Sequence, residues 1–253
     1  MSEIAAYSAD RSLKGKLRRR LVRLAARRPA KRGPGRAMVS FSFDDAPVTA
    51  VSEGRAALES RGLHGTYFVA AELAGRTGPM GLNASADALM QAAAAGHEIA
   101  CHTYSHLDCG QADRAAIEAD VARNSAALGA WGAAPATTFA YPYGDVSLAA
   151  KRALGGRYDL LRGLHHGLVE AGTDLNQAPA VGIEGPEGEV LVREWIDRAI
   201  ERRAWLIVYT HDVVAAPSPF GCTPGALNRL IDHALAHQAE IVTVAEGARR
   251  LAN

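Results

Sequence analysis

The alternation of strand-like and helix-like segments is the feature that most constrains the fold of this chain. From Ala37 onward, short apolar runs are followed by longer segments with helical periodicity. Repeated β-then-α order predicts a parallel sheet with helical crossovers, and about seven or eight such units predict an α/β barrel. The predicted strands are 38–43, 64–71, 97–102, 137–141, 159–164, 179–183, 205–210 and 240–244, and the predicted helices are 48–61, 84–95, 111–129, 145–154, 189–202 and 224–237.

The first 36 residues differ from the rest in composition. Between Arg11 and Arg36 there are 12 Lys or Arg and no Asp or Glu, whereas the remaining chain is acidic overall. Leucines at helical spacing within 11–28 predict a basic helix, which either lies on an anionic membrane surface or is a solvated basic tail. The stretch 29–36 is rich in Pro and Gly and predicts a linker. We therefore expect a basic helical extension over 1–36 and one folded domain over 37–253.

Cysteine usage and hydropathy indicate the compartment. The three cysteines, Cys101, Cys109 and Cys222, cannot form a full disulfide set, which suits a reducing environment. The N-terminus lacks the apolar region of a secretory signal, and no run of about 18 apolar residues is present. We expect a cytoplasmic protein, with peripheral contact at the inner membrane through residues 11–28. Nucleic-acid binding is not expected, because the basic segment lacks aromatic residues and the rest of the chain is not basic.

Polar side chains follow several of the predicted strands at the point where each strand ends. Asp44 and Asp45 follow the first strand, His102 ends the third, His106 lies in the next loop, and His211 follows strand 205–210. Taken singly, an Asp pair can cap a helix, and two histidines four residues apart can be ordinary surface residues. Because the carboxyl ends of parallel strands meet at one rim of a barrel, their joint placement favours an active site.

These residue types suit one kind of chemistry. One carboxylate and two imidazoles can hold a divalent metal and leave coordination positions open for water and substrate. The second carboxylate of the Asp44–Asp45 pair is then free to act as a base. This combination is what metal-assisted hydrolysis requires.

Four segments resemble successive motifs of one enzyme family. FSFDDAP (41–47), HTYSH (102–106), FAYPYGD (139–145) and IVYTHD (207–212) are similar, in order and spacing, to motifs of the NodB-homology polysaccharide deacetylases, carbohydrate esterase family 4. The resemblance covers roughly residues 37–250. It implies a distorted (β/α) barrel of about seven strands that removes acetyl groups, mostly from N-acetylated sugars. It also implies a divalent metal, most often Zn²⁺, although Co²⁺, Ni²⁺, Mn²⁺ and Fe²⁺ suit the same ligands.

The resemblance implies a role for each matching residue. Asp44 would be the general base for the attacking water, His211 would protonate the leaving amine, and Tyr143 would donate its backbone N–H to the oxyanion. The implied metal ligands are Asp45, His102 and His106.

Two departures from the family pattern leave roles open. The family commonly has an arginine where this chain has Ala140, and that arginine pairs with the base. Arg162, at the end of the next predicted strand, is our candidate replacement; the alternative is an ordinary surface arginine. The motif that supports the catalytic histidine is not recognisable. Three carboxylates remain candidates for supporting His211, namely Asp174, Glu184 and Asp212.

The sequence therefore predicts a metal-dependent N-deacetylase. The expected substrate is an N-acetylglucosamine-type unit of a bacterial exopolysaccharide of the holdfast or biofilm type, or its lipid-linked oligosaccharide precursor. A first alternative is a deacylase or deformylase of a lipid-linked amino sugar. A second alternative, from another class, is a catalytically silent carbohydrate-binding protein on the same fold.

Overall fold

The computed structural model describes residues 21–252 and shows an α/β fold built on one curled parallel sheet. Its strands follow one another in space in the order β7-β6-β5-β2-β1-β9-β8, with β10 paired to β1 and with β3 and β4 forming a separate hairpin. The predicted distorted barrel of about seven strands is confirmed. The strands are β1 (Met38–Asp44), β2 (Thr66–Val69), β3 (Thr77–Gly78), β4 (Gly81–Leu82), β5 (Glu98–Cys101), β6 (Thr138–Ala140), β7 (Leu160–Arg162), β8 (Val181–Gly182), β9 (Trp205–Thr210) and β10 (Glu240–Ile241).

Besides the helical residues 21–24, seven α-helices are described and lie around the sheet. Four of them begin at a Ser, Thr or Asp whose side chain accepts a backbone N–H of the first turn, which compensates the unpaired donors there. None of the helices in residues 21–252 is both long enough and apolar enough to span a bilayer. The helices are α1 (Arg55–Glu59, preceded by a π-helical turn over Ala50–Gly54), α2 (Ala86–Ala94), α3 (Arg114–Trp131), α4 (Leu148–Leu154), α5 (Gly188–Arg202), α6 (Pro224–Ala236) and α7 (Val244–Ala252).

One segment, residues 175–183, bonds to both ends of the sheet; we call it the closing segment. Near its start, the Ala178 N–H donates to the Leu161 carbonyl of β7 at 2.8 Å. Near its end, the Ile183 N–H donates to the Tyr209 carbonyl of β9 at 2.9 Å. The edge strand β7 is therefore linked to the other edge of the sheet, where β8 pairs with β9, through a single stretch of chain.

The barrel interior is apolar at the end where the strands begin. Met38 and Trp205, at the starts of β1 and β9, pack with Ala248 and Leu251 of α7 in one buried cluster. The helix α7 therefore covers the N-terminal end of the barrel. The predicted functional residues lie at the opposite end, where the strands finish.

The prediction of a strand over 240–244 is wrong at its C-terminal half. Strand β10 stops at Ile241, and α7 begins at Val244. The Thr243 N–H donates to Glu246 Oε2 at 2.9 Å, and the Glu246 N–H donates to Thr243 Oγ1 at 3.2 Å. This reciprocal pair is a capping box, which starts a helix and outweighs the strand-like alternation of EIVTV. The Thr-x-x-Glu spacing was the sequence signal for it.

The basic N-terminal segment is described only in part. Residues 11–20 of the predicted helix over 11–28 lie outside the described residues, whereas 21–24 are helical. Residues 22–30, here the docked segment, contact the barrel through polar bonds. The fully buried Lys151 donates to the Val22 carbonyl at 2.8 Å, and the Arg28 guanidinium donates to the Tyr158 carbonyl at 2.7 Å.

Candidate active site

The predicted site residues lie together at the C-terminal end of the barrel. Asp44 ends β1, Arg162 ends β7, and His102 and His211 follow β5 and β9 directly. Tyr143 lies in a short 3-10 turn, Pro142–Gly144, after β6. Its ring centroid is 4.4 Å from that of His106, so the turn after β6 borders the histidine pair.

Three side chains form a cluster that could hold a metal ion. His102 Nε2 lies 3.8 Å from Asp45 Oδ1, and His106 Nε2 lies 3.4 Å from the same oxygen. One ligand atom from each residue falls within 4.8 Å of the others, and this is the one such group found among the described residues. These are the three ligands that the sequence predicts.

The protonation and hydrogen bonding of this cluster fit a bound divalent cation. His102 Nδ1 lies 2.8 Å from the Ala140 carbonyl, so Nδ1 carries the proton and the Nε2 lone pair is directed to the cluster. Burial lowers the pKa of His102 and His106 to about 4, which keeps both rings neutral at physiological pH. Asp45 Oδ1 is buried and has no hydrogen-bond partner among the described residues. A cation would supply the partner that this oxygen lacks.

Several backbone positions in the site adopt the left-handed region. Asp45 has φ 57°, His106 has φ 57° and Tyr143 has φ 58°. Residues other than glycine rarely adopt this conformation, and such residues cluster at functional sites because the surrounding structure enforces it. Here the turns aim the carboxylate and imidazole of two ligands at one point. Sequence periodicity carries no signal for this feature.

The loop from His102 to His106 is fixed by a residue that the sequence reasoning missed. Asp120, on α3, accepts the Tyr104 N–H at 2.6 Å and the Ser105 N–H at 3.1 Å through Oδ1. Its Oδ2 accepts the Ser105 hydroxyl at 2.8 Å. Three bonds to one buried carboxylate fix the loop between His102 and His106, the two predicted ligands. Asp120 falls in the middle of a helix, where an acidic residue is unremarkable in sequence.

Asp44 is paired with Arg162. Arg162 Nη2 lies 2.5 Å from each carboxylate oxygen of Asp44, and both side chains are buried. The guanidinium is held between two aromatic rings, 5.1 Å from the Phe68 centroid and 5.2 Å from that of Tyr209. Burial alone would raise the pKa of Asp44, but the charge of Arg162 holds it below its ordinary value. Asp44 is therefore ionised at neutral pH, as a base must be.

Glu184 is the carboxylate nearest to His211 among the three candidates. Its Oε1 lies 3.9 Å from His211 Nδ1, and its Oε2 accepts the Tyr209 hydroxyl at 3.1 Å. His211 Nδ1 also lies 3.2 Å from the Phe220 carbonyl, so Nδ1–H can donate there and Nε2 is left for the reaction. Burial raises the pKa of Glu184.

The other two candidate carboxylates are engaged elsewhere. Asp212 accepts the Ser218 N–H at 2.8 Å and the Ser218 hydroxyl at 2.5 Å, so it fixes the loop that follows His211. Asp174 pairs with Lys151 at 2.6 Å, beside the docked segment. Among the described residues, Glu184 is therefore the one of the three candidate carboxylates that lies within ion-pair distance of the His211 imidazole.

Sequence comparison places the chain in a family. The family model described as polysaccharide deacetylase matches residues 31–156, which include Asp44, Asp45 and both ligating histidines. No curated protein matches the chain significantly.

Solved structures with the same fold are similar over most of the chain. The chitin deacetylase from Colletotrichum lindemuthianum is 20% identical with a TM-score of 0.63, covering 87% of this chain and 91% of that one. The Xyl-CE4 domain of a multidomain xylanase from the hindgut metagenome of Trinervitermes trinervoides is 19% identical with a TM-score of 0.63, covering 85% and 91%. A family 4 acetyl xylan esterase from Clostridium thermocellum, in complex with a cobalt ion, is 20% identical with a TM-score of 0.56, covering 83% and 89%.

At these identities the structural matches show the fold, and the family model supplies the family. The barrel, the four motifs at its C-terminal end and the matched residues agree with one another. The chain therefore belongs to the polysaccharide deacetylase family, whose members are hydrolases of amide or ester bonds.

Proposed function

We propose that this protein is a metal-dependent N-deacetylase acting on N-acetylglucosamine-type units of a bacterial exopolysaccharide or of its lipid-linked precursor. The observation that carries the proposal is the joint placement of two groups. One is the Asp45–His102–His106 cluster, which fits a divalent cation, and the other is the ionised Asp44, which fits a base. An amide hydrolase needs both a Lewis acid or oxyanion donor and a base for water.

The metal is the first part of this proposal. Bound by Asp45, His102 and His106, a divalent cation would polarise the acyl carbonyl and acidify water. Two imidazoles and one carboxylate suit zinc, and the same set also accepts cobalt, nickel, manganese or iron.

The chain's own residues would carry the proton transfers. Asp44 takes a proton from the attacking water, because its carboxylate is ionised and its position beside Arg162 is fixed. His211 gives a proton from Nε2 to the leaving amine, while its Nδ1–H is held by the Phe220 carbonyl and faces Glu184. The Glu184 carboxylate would stabilise the imidazolium form. The Tyr143 backbone N–H would donate to the oxygen that becomes negative.

Exposed aromatic side chains beside the site suit a carbohydrate substrate. Phe220 is 48% exposed with its ring 5.8 Å from that of His211, and Tyr143 is 38% exposed with its ring next to His106. Large apolar side chains left at a surface next to a polar site commonly provide a flat contact for a ligand. The two rings lie beside the predicted acid and beside the predicted metal ligands, respectively.

Acetate release tests the activity. We expect the purified, zinc-loaded protein to release acetate from N-acetylglucosamine oligomers and the matched variant Asp44→Asn to release none. Metal content measured on both proteins shows that the variant retains the ligand cluster. Equal release by the variant would refute Asp44 as the base. Absence of release from both, with metal bound, would favour a lipid-linked amino sugar or a silent binding protein.

The proposed location is the cytoplasmic face of the inner membrane, reached through the basic residues 11–28. Lys151 and Arg28 hold residues 22–30 against the barrel, so removing only residues 1–20 leaves those contacts intact. We expect this truncation to move the protein from the membrane fraction to the soluble fraction while preserving acetate release. Unchanged fractionation would contradict the proposed membrane contact.

A further inference from the structure

A cavity whose lining includes none of the predicted metal ligands lies between the docked segment and the chain that follows β7. Its volume is about 360 Å³, which is near the lower end of the range for small-ligand sites. Arg23, Leu24 and Arg27 form one wall, and residues 165–168 together with parts of 173–179 form the rest. The cavity therefore exists because the docked segment is held in place.

The wall of this cavity is positively charged. Arg23 and Arg27 both border it, and the one acidic residue among its described lining residues is Asp174. The Asp174 carboxylate is already neutralised, because it pairs with Lys151 Nζ at 2.6 Å and accepts the Arg28 backbone N–H at 2.8 Å. The two lining arginines are therefore left with an excess of positive charge.

Two buried polar groups in the wall lack partners. Gln177 is only 9% exposed, and its Oε1 has no hydrogen-bond partner among the described residues. The same holds for His165 Nδ1. Burying a polar group without a hydrogen-bond partner is destabilising. A ligand bound in the cavity would supply a partner to both side chains. A side-chain amide can turn its NH₂ toward a ligand and a neutral imidazole can place its proton on Nδ1, so both groups can donate to an anion.

We propose that this cavity binds a phosphate group. Planar guanidinium groups pair with phosphate oxygens through two parallel hydrogen bonds, and the neutral donors of Gln177 and His165 complete the set. The ligand class is a phosphate or pyrophosphate, carried either by a sugar–pyrophosphate lipid or by an anionic phospholipid. His165 is three residues after Arg162, so the phosphate site and the Asp44 partner lie on one stretch of chain. The inference concerns binding alone and does not depend on the proposed deacetylase activity.

Titration of the full-length protein with inorganic pyrophosphate, followed by calorimetry, tests the site. We expect Arg23→Gln and Gln177→Glu each to weaken binding about tenfold or more, because each alters a charge-assisted contact. The isosteric Gln177→Glu change puts a negative charge where the anion would lie. The control Arg32→Gln removes an exposed charge outside the cavity wall and should change the affinity less than about twofold. Thermal unfolding of each variant verifies folding.

Pyrophosphate can also bind at the metal-ligand cluster, so His106→Ala is titrated in parallel. Retained affinity in His106→Ala together with the losses above supports the cavity. Loss in His106→Ala alone, equal binding by all variants, or no binding by the wild type overturns the inference. A second arm compares phosphatidylglycerol with phosphatidylcholine vesicles. Vesicle binding weakened by Gln177→Glu assigns the phosphate to a lipid headgroup, whereas pyrophosphate binding without this vesicle effect assigns it to a sugar pyrophosphate.

Discussion

Ala140 and Arg162 are Cα partners on the neighbouring parallel strands β6 and β7, and Arg162 reaches Asp44 from that position. Paired residues of parallel strands direct their side chains to the same face of the sheet. The motif that FAYPYGD resembles commonly has an arginine at the position of Ala140. In this chain the guanidinium that pairs with Asp44, the predicted base, comes from the adjacent strand at the same level of the barrel.

This relationship predicts the effect of removing and relocating the arginine. We expect Arg162→Met to lower kcat/KM about 100-fold, because a buried carboxylate loses the guanidinium with which it is paired. Since Arg162 lowers the pKa of Asp44, its removal should raise that pKa and shift the acidic limb of the pH–rate profile to higher pH. Acetate release measured from pH 5 upward checks both effects.

A second-site change separates a specific role from general destabilisation. The double variant Arg162→Ala with Ala140→Arg restores a guanidinium from β6, and we expect it to recover part of the lost kcat/KM and to return the acidic limb toward lower pH. A double variant that behaves like Arg162→Ala alone would show that the two strand positions are not equivalent.

Replacing Asp120 should lower the affinity for metal, although Asp120 is not itself a predicted ligand. Asp120→Ala removes all three bonds to the loop between the ligating histidines, and we expect zinc affinity to fall about 10- to 100-fold, as for other residues that orient metal ligands. Competition with a chelating dye measures this. Asp113→Ala is the control, because the Asp113 side chain accepts the Ala116 N–H of the same helix instead of the Tyr104 and Ser105 groups that Asp120 bonds. Comparable losses in both variants would argue against a specific role for Asp120.

Removing the charge of Glu184 should lower kcat and leave KM nearly unchanged. Glu184→Gln keeps the shape but removes the negative charge near His211 Nδ1, so we expect kcat to fall about tenfold or more with KM nearly unchanged. Tyr209→Phe is the matched control, because it removes the hydroxyl bonded to Glu184 and leaves the carboxylate in place. Steady-state kinetics that show a rise in KM alone would assign Glu184 to substrate binding instead.

Removing the ring of Phe220 should weaken substrate binding and leave kcat largely unchanged. Phe220→Ala removes the exposed ring but keeps the backbone carbonyl that accepts from His211, so we expect KM for oligomers to rise about 3- to 10-fold with kcat largely retained. Phe220→Tyr should behave like the wild type. An unchanged KM in the alanine variant would exclude a contact between this ring and the substrate.

We expect the protein to lose stability in mild acid because of His97. Its Nδ1 accepts the Gly65 N–H at 2.9 Å, and protonation would abolish that bond. Burial lowers the pKa of His97 below the ordinary value of 6.5, so the unfolded chain binds a proton more readily than the folded protein. The free energy of unfolding should therefore be highest above pH 6.5 and fall as the pH drops toward the folded-state pKa. Urea unfolding of wild type and His97→Gln should show a shallower pH dependence in the variant.

The sequence predicted the barrel and the grouping of site residues because both depend on local patterns. The strand-like apolar runs that lead to Asp44, His102 and Arg162 can be recognised in the sequence. Because the strands are parallel, their C-terminal ends meet at the same rim of the barrel. The left-handed backbone at Asp45 and His106 was not predictable, because it results from tertiary constraints on residues that can adopt either conformation.

Other features depended on signals that compete with one another. The alternation in EIVTV is typical of a strand, and only the spacing of Thr243 and Glu246 reveals the helix start. All three candidate carboxylates, Asp174, Glu184 and Asp212, lie in loops, so the sequence could not show which of them lies beside His211. The three-dimensional structure places Glu184 there. The roles of the site residues stay predictions that the variants above test.

The closing segment has a mechanical consequence. Its start is bonded to the strand that carries Arg162, and its end positions Glu184 beside His211. Arg162, which pairs with the predicted base Asp44, and Glu184, which faces the predicted acid His211, are thus linked by one short span of backbone. A change that shifts this span, even at a residue remote from the metal ligands, should displace both proton-transfer partners together. The segment that joins the two edges of the sheet is therefore also the element that should set the spacing between the predicted base, Asp44, and the predicted acid, His211.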